Sequence, residues 1–144
     1  MPSPREVPDV RLFVYGMFLP GERGNELLVG CPLVGPATTS ASYTLMDLGV
    51  YPALIAGGTT SVSGELYLVS RATRYQLDVK SECPVLFQRT LVDLADGSQA
   101  ETYVMREDQV RGRRRVQLGD WRGRFAPKPR EPERAAWIEA LRRR

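Results

Sequence analysis

Short apolar runs separated by turn residues recur along the chain and predict a sheet built from many short strands. Residues 11–15, Arg-Leu-Phe-Val-Tyr, have the apolar and aromatic character of a buried strand, and the run stops at Gly16. The dipeptide Asp96-Gly97 predicts a tight turn between two later runs, which would then form a hairpin. By the same criteria we predict strands over residues 37–46, 54–56, 61–69, 86–94 and 101–105.

Helical patterns are fewer and shorter than strand patterns. Residues 71–78 predict one or two helical turns that direct Tyr75 and Leu77 toward the core. A short helix is predicted over residues 25–29, where an asparagine provides a suitable first residue. Residues 133–141 predict a terminal helix with a loose apolar face.

Many strands with few helices predict the α+β class, and specifically a small mixed β-barrel with a few peripheral helices. A length of 144 residues fits one domain. We expect a flexible leader over residues 1–10, a folded domain over 11–126, and a Pro-rich connector with a C-terminal helix over 127–144. Near the end of the domain, Asp120-Trp121 is predicted to lie on a surface turn.

The lack of histidine restricts the chemistry more than any other feature of the composition. It removes the usual general base of serine and cysteine hydrolases and the commonest metal ligand. Proton transfer must therefore fall to Glu, Asp, Tyr, Lys or Cys side chains. Cys31 and Cys83 are too few to indicate a disulfide scaffold or a zinc site, and we interpret them as reduced core thiols, with a bridge between them as the alternative.

Charge is spread unevenly along the chain. Residues 1–104 carry 7 basic and 11 acidic side chains, whereas residues 105–144 carry 13 basic and 6 acidic side chains. The basic end is interpreted as an Arg-rich solvated surface, and contact with nucleic acid is the alternative. No apolar stretch could span a bilayer and the first residues lack the apolar core of a signal peptide, so we expect a cytoplasmic protein without a membrane partner.

A loop and a turn are the first candidates for a binding site. The strand over residues 11–15 leads into Tyr15, Gly16, Met17 and Phe18, and the glycine allows the chain to turn and a ligand to approach the backbone. A concave row of backbone N–H groups there would suit a carboxylate or another anionic oxygen. Tyr51, in a Leu-Gly-Val-Tyr-Pro turn, either walls the same pocket or packs beneath it.

A second group of candidates lies around residues 77–90, Leu-Asp-Val-Lys-Ser-Glu-Cys-Pro-Val-Leu-Phe-Gln-Arg-Thr. Together with the loop after the first strand, this run resembles the γ-glutamylcyclotransferase-like (AIG2-like) family, and the ordered resemblance spans about residues 11–125. The spacing of the Pro, the aromatic residue and the Arg is kept. In the family pattern, however, the slot of the catalytic Glu is occupied here by Ser81, and the acid follows as Glu82.

The resemblance implies an enzyme that needs neither a metal nor a cofactor. The α-amine of a γ-glutamyl group attacks its own γ-carbonyl, which gives 5-oxoproline and releases an amine, and one carboxylate moves the proton. Glu82 is the residue that we predict to be catalytic. Tyr15, Gly16, Met17, Phe18, Tyr51, Ser81 and Tyr103 are predicted to bind the small-molecule substrate, and the Cys-Pro-x-Leu-aromatic-Gln-Arg-Thr ending is closest to the γ-glutamylamine type.

Two alternatives stay open. Met17, Phe18 and the displaced Glu82 would also fit a scaffold that has been repurposed for another small molecule, as a cyclase, isomerase or lyase of specialised metabolism. A binding module without turnover is the other alternative, in which the basic C-terminal part would contact RNA or another acidic partner. A fold can host different chemistries, so the resemblance does not choose among these readings.

Overall fold

The computed structural model of the chain describes residues 3–22 and 24–124, so the predicted connector and terminal helix over 127–144 lie outside the described residues. Within these residues no helix has the length and apolar character needed to cross a membrane. The secondary structure consists mainly of strands, with one α-helix and three short 3₁₀ turns. The strands are β1 Val10–Val14, β2 Leu33–Thr38, β3 Tyr43–Asp47, β4 Pro52–Ala56, β5 Ser63–Val69, β6 Gln88–Asp93, β7 Gln99–Val104 and β8 Arg114–Arg115, the helix is α1 Arg71–Lys80, and the 3₁₀ turns are Pro4–Glu6, Asn25–Leu28 and Glu107–Val110.

All eight strands belong to one mixed sheet in the order β2-β5-β1-β7-β4-β3-β8, with β6 joined to β7. Strand β7 is the centre of this arrangement. It pairs with β6 along its whole length as an antiparallel hairpin, but it pairs with β1 and β4 in parallel at one position each. The predicted α+β class is confirmed: the sheet curls into a half-barrel, and α1 is the one α-helix within residues 3–22 and 24–124.

Strand β1 is buried on both faces, which explains its uninterrupted apolar sequence. Alternate residues of a strand point to opposite faces. Accordingly, Leu12 and Val14 join a core cluster that also contains Leu77 of α1. Phe13 and Tyr15 join a second cluster on the other face of the sheet. The site described below forms where β1 ends between these two clusters.

The prediction of one strand over residues 37–46 is wrong, because two separate strands occupy this region. Strand β2 ends at Thr38 and pairs with β5, whereas β3 begins at Tyr43 and pairs with β4. Between them, Thr39 forms an isolated bridge with Leu94, and its hydroxyl accepts a hydrogen bond from the N–H of Val62 at 2.8 Å. These contacts fix the segment that connects β2 to β3 as it passes from one part of the sheet to another.

Two predicted side-chain positions also need correction. Tyr75 is 64% exposed, whereas Leu77 is fully buried. The two residues lie two positions apart in α1, a rotation of about 200°, and therefore cannot both face the core. Trp121 is 1% exposed and packs in the second core cluster, so only its neighbour Asp120 lies on the surface turn.

The hydroxyl of Tyr15 connects the strands where their backbone pairing is weakest. It donates to the carbonyl of Tyr103 at 2.5 Å and accepts from the N–H of Leu54 at 3.1 Å. These two groups belong to β7 and β4, and Tyr15 itself follows β1 directly. One buried hydroxyl therefore links three strands that share only single-position parallel pairings.

We expect Tyr15→Phe to lower the free energy of unfolding by about 1–3 kcal/mol, because a buried N–H and a buried carbonyl would both lose their partner. Urea unfolding followed by circular dichroism measures this change. Tyr75→Phe, which removes an exposed hydroxyl, is the matched control and should change stability by about 0.5 kcal/mol or less. Equal effects of the two substitutions would contradict the linking role of Tyr15.

Candidate functional site

Ser81 is the polar residue at the centre of the site, and helix α1 puts it there. The helix begins at the N-cap Ser70, whose side chain accepts from the N–H of Thr73 at 3.1 Å. It ends at Lys80, and the C-cap residue Ser81 still donates its N–H to the carbonyl of Leu77 at 2.9 Å. Residues four apart lie on the same face of a helix. Ser81 therefore shares the inward face of Leu77 and is 1% exposed.

Glu82 takes a different direction from its neighbour. It has a φ of +50°, in the left-handed region that commonly follows the end of a helix. Its N–H donates to Val79 and its carbonyl accepts from Leu86, so this backbone turn is well hydrogen-bonded. The side chain of Glu82 is exposed and does not line the cavity in which Ser81 lies. An acid at position 82 therefore points to solvent, whereas a side chain at position 81 points to the inward face.

A small, mainly apolar cleft surrounds the Ser81 side chain. Its volume is about 20 Å³, which is room for about one water molecule. The Ser81 Oγ is buried and has no hydrogen-bond partner within the described residues. A buried hydroxyl of this kind is a candidate for contact with a ligand, since buried polar groups are normally satisfied. The walls are formed by Phe13, Val14, Tyr15, Gly16, Met17, Phe18, Pro52, Phe87, Thr102 and Tyr103.

The loop after β1, residues 15–18, forms one wall of this cleft. A Cβ at Gly16 would lie 2.2 Å from the Cγ of Pro52, so only glycine lets the loop rest against the start of β4. The carbonyl of Met17 accepts from the N–H of Gly24 at 2.9 Å, which fixes the loop. In the part of the chain that the structure describes, the N–H groups of Met17 and Phe18 donate to no other group of the protein. Two successive N–H groups suit a carboxylate.

Tyr103 lines the cleft next to this loop and belongs to a network of charged side chains. Its ring packs edge-on against Phe18, with ring centroids 6.0 Å apart. Its hydroxyl donates to Asp78 Oδ1 at 2.6 Å, and the same carboxylate pairs with Arg89. Burial, followed by this hydrogen bond, raises the pKa of Tyr103 well above its usual value. Tyr103 is therefore held neutral and in a fixed position.

The structure brings together six of the eight residues predicted for the site. Tyr15, Gly16, Met17, Phe18, Ser81 and Tyr103 all line the cleft. Tyr51 does not line it and supports it from behind, with its ring centroid 5.8 Å from that of Phe87. Glu82 lies outside.

Sequence reasoning did not assign five further lining residues to the site: Phe13 and Val14, which it placed in the first strand, and Pro52, Phe87 and Thr102. Pro52 and Phe87 were visible in the sequence as parts of the Tyr-Pro turn and of the run over residues 77–90. Thr102 gave no such signal. Its hydroxyl donates to the carbonyl of Phe13 at 2.8 Å, so this group is already engaged within the sheet.

Comparison with known proteins identifies the family to which this fold belongs. Residues 12–123 match the family described as "Gamma-glutamyl cyclotransferase, AIG2-like". The chain belongs to this family. A Vibrio cholerae protein that carries the gamma-glutamylcyclotransferase name provisionally is 37% identical over 110 residues, which cover 76% of this chain and 93% of that protein.

Two solved structures have the same fold as this AIG2-like chain. The solution structure of Escherichia coli ytfP superimposes with a TM-score of 0.63 at 32% identity, and the match covers 78% of this chain and 96% of that one. The crystal structure of a mouse AIG2-like protein gives a TM-score of 0.59 at 25% identity, over 67% of this chain and 76% of that one. The predicted family is thus confirmed.

The raised pKa of Tyr103 predicts how stability changes in alkali. The unfolded chain releases this proton near pH 10, whereas the folded chain retains it, so the folded state is progressively disfavoured as the pH rises above about 10. We expect the free energy of unfolding to fall between pH 10 and 11.5, and to fall less steeply in Tyr103→Phe. Urea unfolding at a series of pH values, with Tyr75→Phe as the control for loss of a hydroxyl, measures the slopes. Identical slopes for wild type and Tyr103→Phe would contradict this account.

Proposed function

We propose that this chain is an enzyme that acts on a small γ-glutamyl amine and releases 5-oxoproline and the free amine. The observation that carries the proposal is the buried, unpartnered hydroxyl of Ser81, which lies in the same cleft as the loop after β1. The membership of the chain in the γ-glutamylcyclotransferase family supplies the class of reaction.

The substrate is proposed to bind through its α-amino-acid end. The N–H groups of Met17 and Phe18, which have no acceptor within the described residues, would donate to the α-carboxylate, since successive backbone N–H groups form a concave site for anionic oxygens. The Ser81 hydroxyl would donate to the γ-carbonyl oxygen. These two anchors would fold the γ-glutamyl group back on itself, as ring closure requires.

The small volume of the cleft restricts the substrate. A cleft of about 20 Å³ must widen before it admits a γ-glutamyl group. Met17 is the half-buried wall residue, and its unbranched side chain is the group best able to move aside. We therefore infer a compact γ-glutamyl group inside the cleft and a leaving amine that points to solvent.

In the reaction, a bond forms between the α-nitrogen and the γ-carbon, and the bond from the γ-carbon to the leaving nitrogen breaks. One proton leaves the attacking nitrogen and one reaches the leaving nitrogen. Among the residues that line the cleft in the described part of the chain, none is Asp or Glu. We propose that solvent exchanges these protons and that the protein accelerates the step by orientation, which can contribute a large part of a barrier when the reacting atoms are held close together.

This proposal predicts a particular pH dependence. Without a carboxylate base in the cleft, only substrate with an unprotonated α-amine reacts, so kcat/KM should rise with pH and level off only above the pKa of the substrate's α-amine. Release of 5-oxoproline from a γ-glutamyl alkylamide, followed by mass spectrometry from pH 5 to 9.5, measures the profile. A bell-shaped profile with a maximum near neutrality would contradict the proposal and would indicate a protein carboxylate as the base.

Substitutions at the two neighbouring positions separate their roles. Glu82→Gln should leave kcat/KM within about twofold of wild type, because Glu82 is exposed. Ser81→Ala should lower it about tenfold, the loss expected for one hydrogen bond. Conversely, Ser81→Glu returns an acid to the family's slot and should raise the rate at pH 7 by about 10²–10⁴-fold, which is the usual range for general acid–base catalysis.

Ser81→Gln has the size of the Ser81→Glu variant without its proton chemistry and is the matched control. Ser81→Asp is a shorter carboxylate that keeps the test available if the Glu variant does not fold. Loss of activity in Glu82→Gln, with Ser81→Ala unaffected, would overturn the assignment and restore Glu82 as the acid.

A repurposed small-molecule site is the second candidate, and the apolar walls of the cleft favour it. Six of the lining side chains are Phe, Val, Met or Pro, and Ser81 is the polar residue without a partner. No 5-oxoproline from any γ-glutamyl compound, together with saturable binding of a more apolar ligand that Ser81→Ala weakens, would favour this candidate.

A further inference from the structure

A second and larger concavity lies away from the Ser81 cleft and is lined by arginines. It is bounded by the β3–β4 hairpin on one side and by the segment from Glu107 to Arg115 on the other, and its volume is about 490 Å³. We call it the arginine groove. Strand β4 separates the two cavities: Pro52 at its beginning lines the cleft, whereas Ala56 at its end lines the groove, about 13 Å further along the strand.

Three exposed guanidinium groups face the arginine groove, those of Arg111, Arg113 and Arg115. Within the described residues, none of the three forms an ion pair with a carboxylate. Glu107 is the one acidic residue in the lining. The groove therefore carries an excess of positive charge that the described part of the protein does not neutralise.

The orientation of these arginines follows from the strand at which the segment ends. Strand β8, Arg114–Arg115, pairs with β3 with Arg115 opposite Met46 and Arg114 opposite Asp47. Side chains alternate between the two faces of a strand. Arg113 and Arg115 accordingly line the groove, whereas Arg114 does not. Consecutive arginines thus differ in their access to one concave site.

The floor of the groove is apolar, although its rim is charged. Met46, Ile55 and Val110 line it and are 3–8% exposed. Gly57 and Gly58 form one end, both with positive φ. A Cβ at Gly58 would lie 2.6 Å from the carbonyl oxygen of Tyr43, so this close backbone turn requires glycine. The site therefore offers an apolar surface beside a cluster of fork-shaped cations.

We propose that the arginine groove binds a small molecule that carries a phosphate monoester on an apolar or aromatic body. Arginine forks match phosphate oxygens in a bidentate geometry. The volume falls within the range of small-molecule sites, which is about 300–1,000 Å³. A polynucleotide would instead be expected to use exposed cations regardless of the face they occupy, and Arg114 lies outside the groove.

Binding is tested on the full chain with adenosine 5′-monophosphate as the probe and isothermal titration calorimetry as the measurement. Adenosine lacks the dianion and inorganic phosphate lacks the organic body, so both should bind at least tenfold more weakly. The double substitution Arg113→Gln, Arg115→Gln should weaken binding of the probe at least tenfold. Arg114→Gln removes one positive charge from the other face of the same segment and should change binding of the probe less than threefold, whereas each of the single variants Arg113→Gln and Arg115→Gln should weaken it more than threefold. Thermal unfolding confirms that each variant is folded.

A heteronuclear NMR titration locates the binding independently of affinity. The probe should shift the backbone resonances of Gly58 and Gly112, which line the groove, and leave that of Gly16 in place. Absence of saturable binding would overturn the proposal, as would equal losses in the Arg114 variant and in the double variant. Inorganic phosphate binding as tightly as the probe, or a single-stranded RNA 12-mer binding more tightly than the probe, would also overturn it. These readouts do not depend on 5-oxoproline release, so they stand or fall separately from the proposed cyclotransfer.

Discussion

The buried hydroxyl of Tyr15 is the interaction on which the arrangement of the site depends. Parallel pairing between β1 and β7, and between β7 and β4, is limited to one position each, so the backbone alone leaves the sheet weakly closed at this point. The hydroxyl satisfies a carbonyl of one strand and an N–H of another. Tyr15 and Tyr103 also line the cleft. The same hydrogen bonds that join these strands therefore fix the shape of the site.

The polar chemistry of the cleft is decided at the end of α1. Leu77 anchors the inward face of the helix, and Ser81 follows it one helical turn later on the same face. Glu82, at a positive φ, begins the departure of the chain toward β6. The cleft therefore contains a hydroxyl at this position and no carboxylate among its described lining residues, while the charged pair of Asp78 and Arg89 supports Tyr103 through the Tyr103 hydroxyl.

Much of the fold could be predicted because local patterns were strong: β1 is apolar throughout, and Asp96-Gly97 marks the β6–β7 hairpin. The division of residues 37–46 into two strands could not, because it depends on pairing with distant strands. The site was predicted as a set of residues, but the direction of Glu82 was not. The sequence predicts a helix only as far as residue 78, which leaves the orientation of residues 81 and 82 open. In the structure the helix continues to Lys80, so Ser81 lies on the same face as Leu77.

The position of Ser81 on the face of Leu77 has a consequence for how such proteins diverge. Each residue of a helix advances the side-chain direction by about 100°. The length of the helix therefore determines which residue near its end points toward the cleft. Insertion or deletion of a single residue within the last turn of α1 would turn a different side chain toward the cleft. The side chain in the cleft can therefore change without substitution of the residue at that position, through a change in the length of the helix alone.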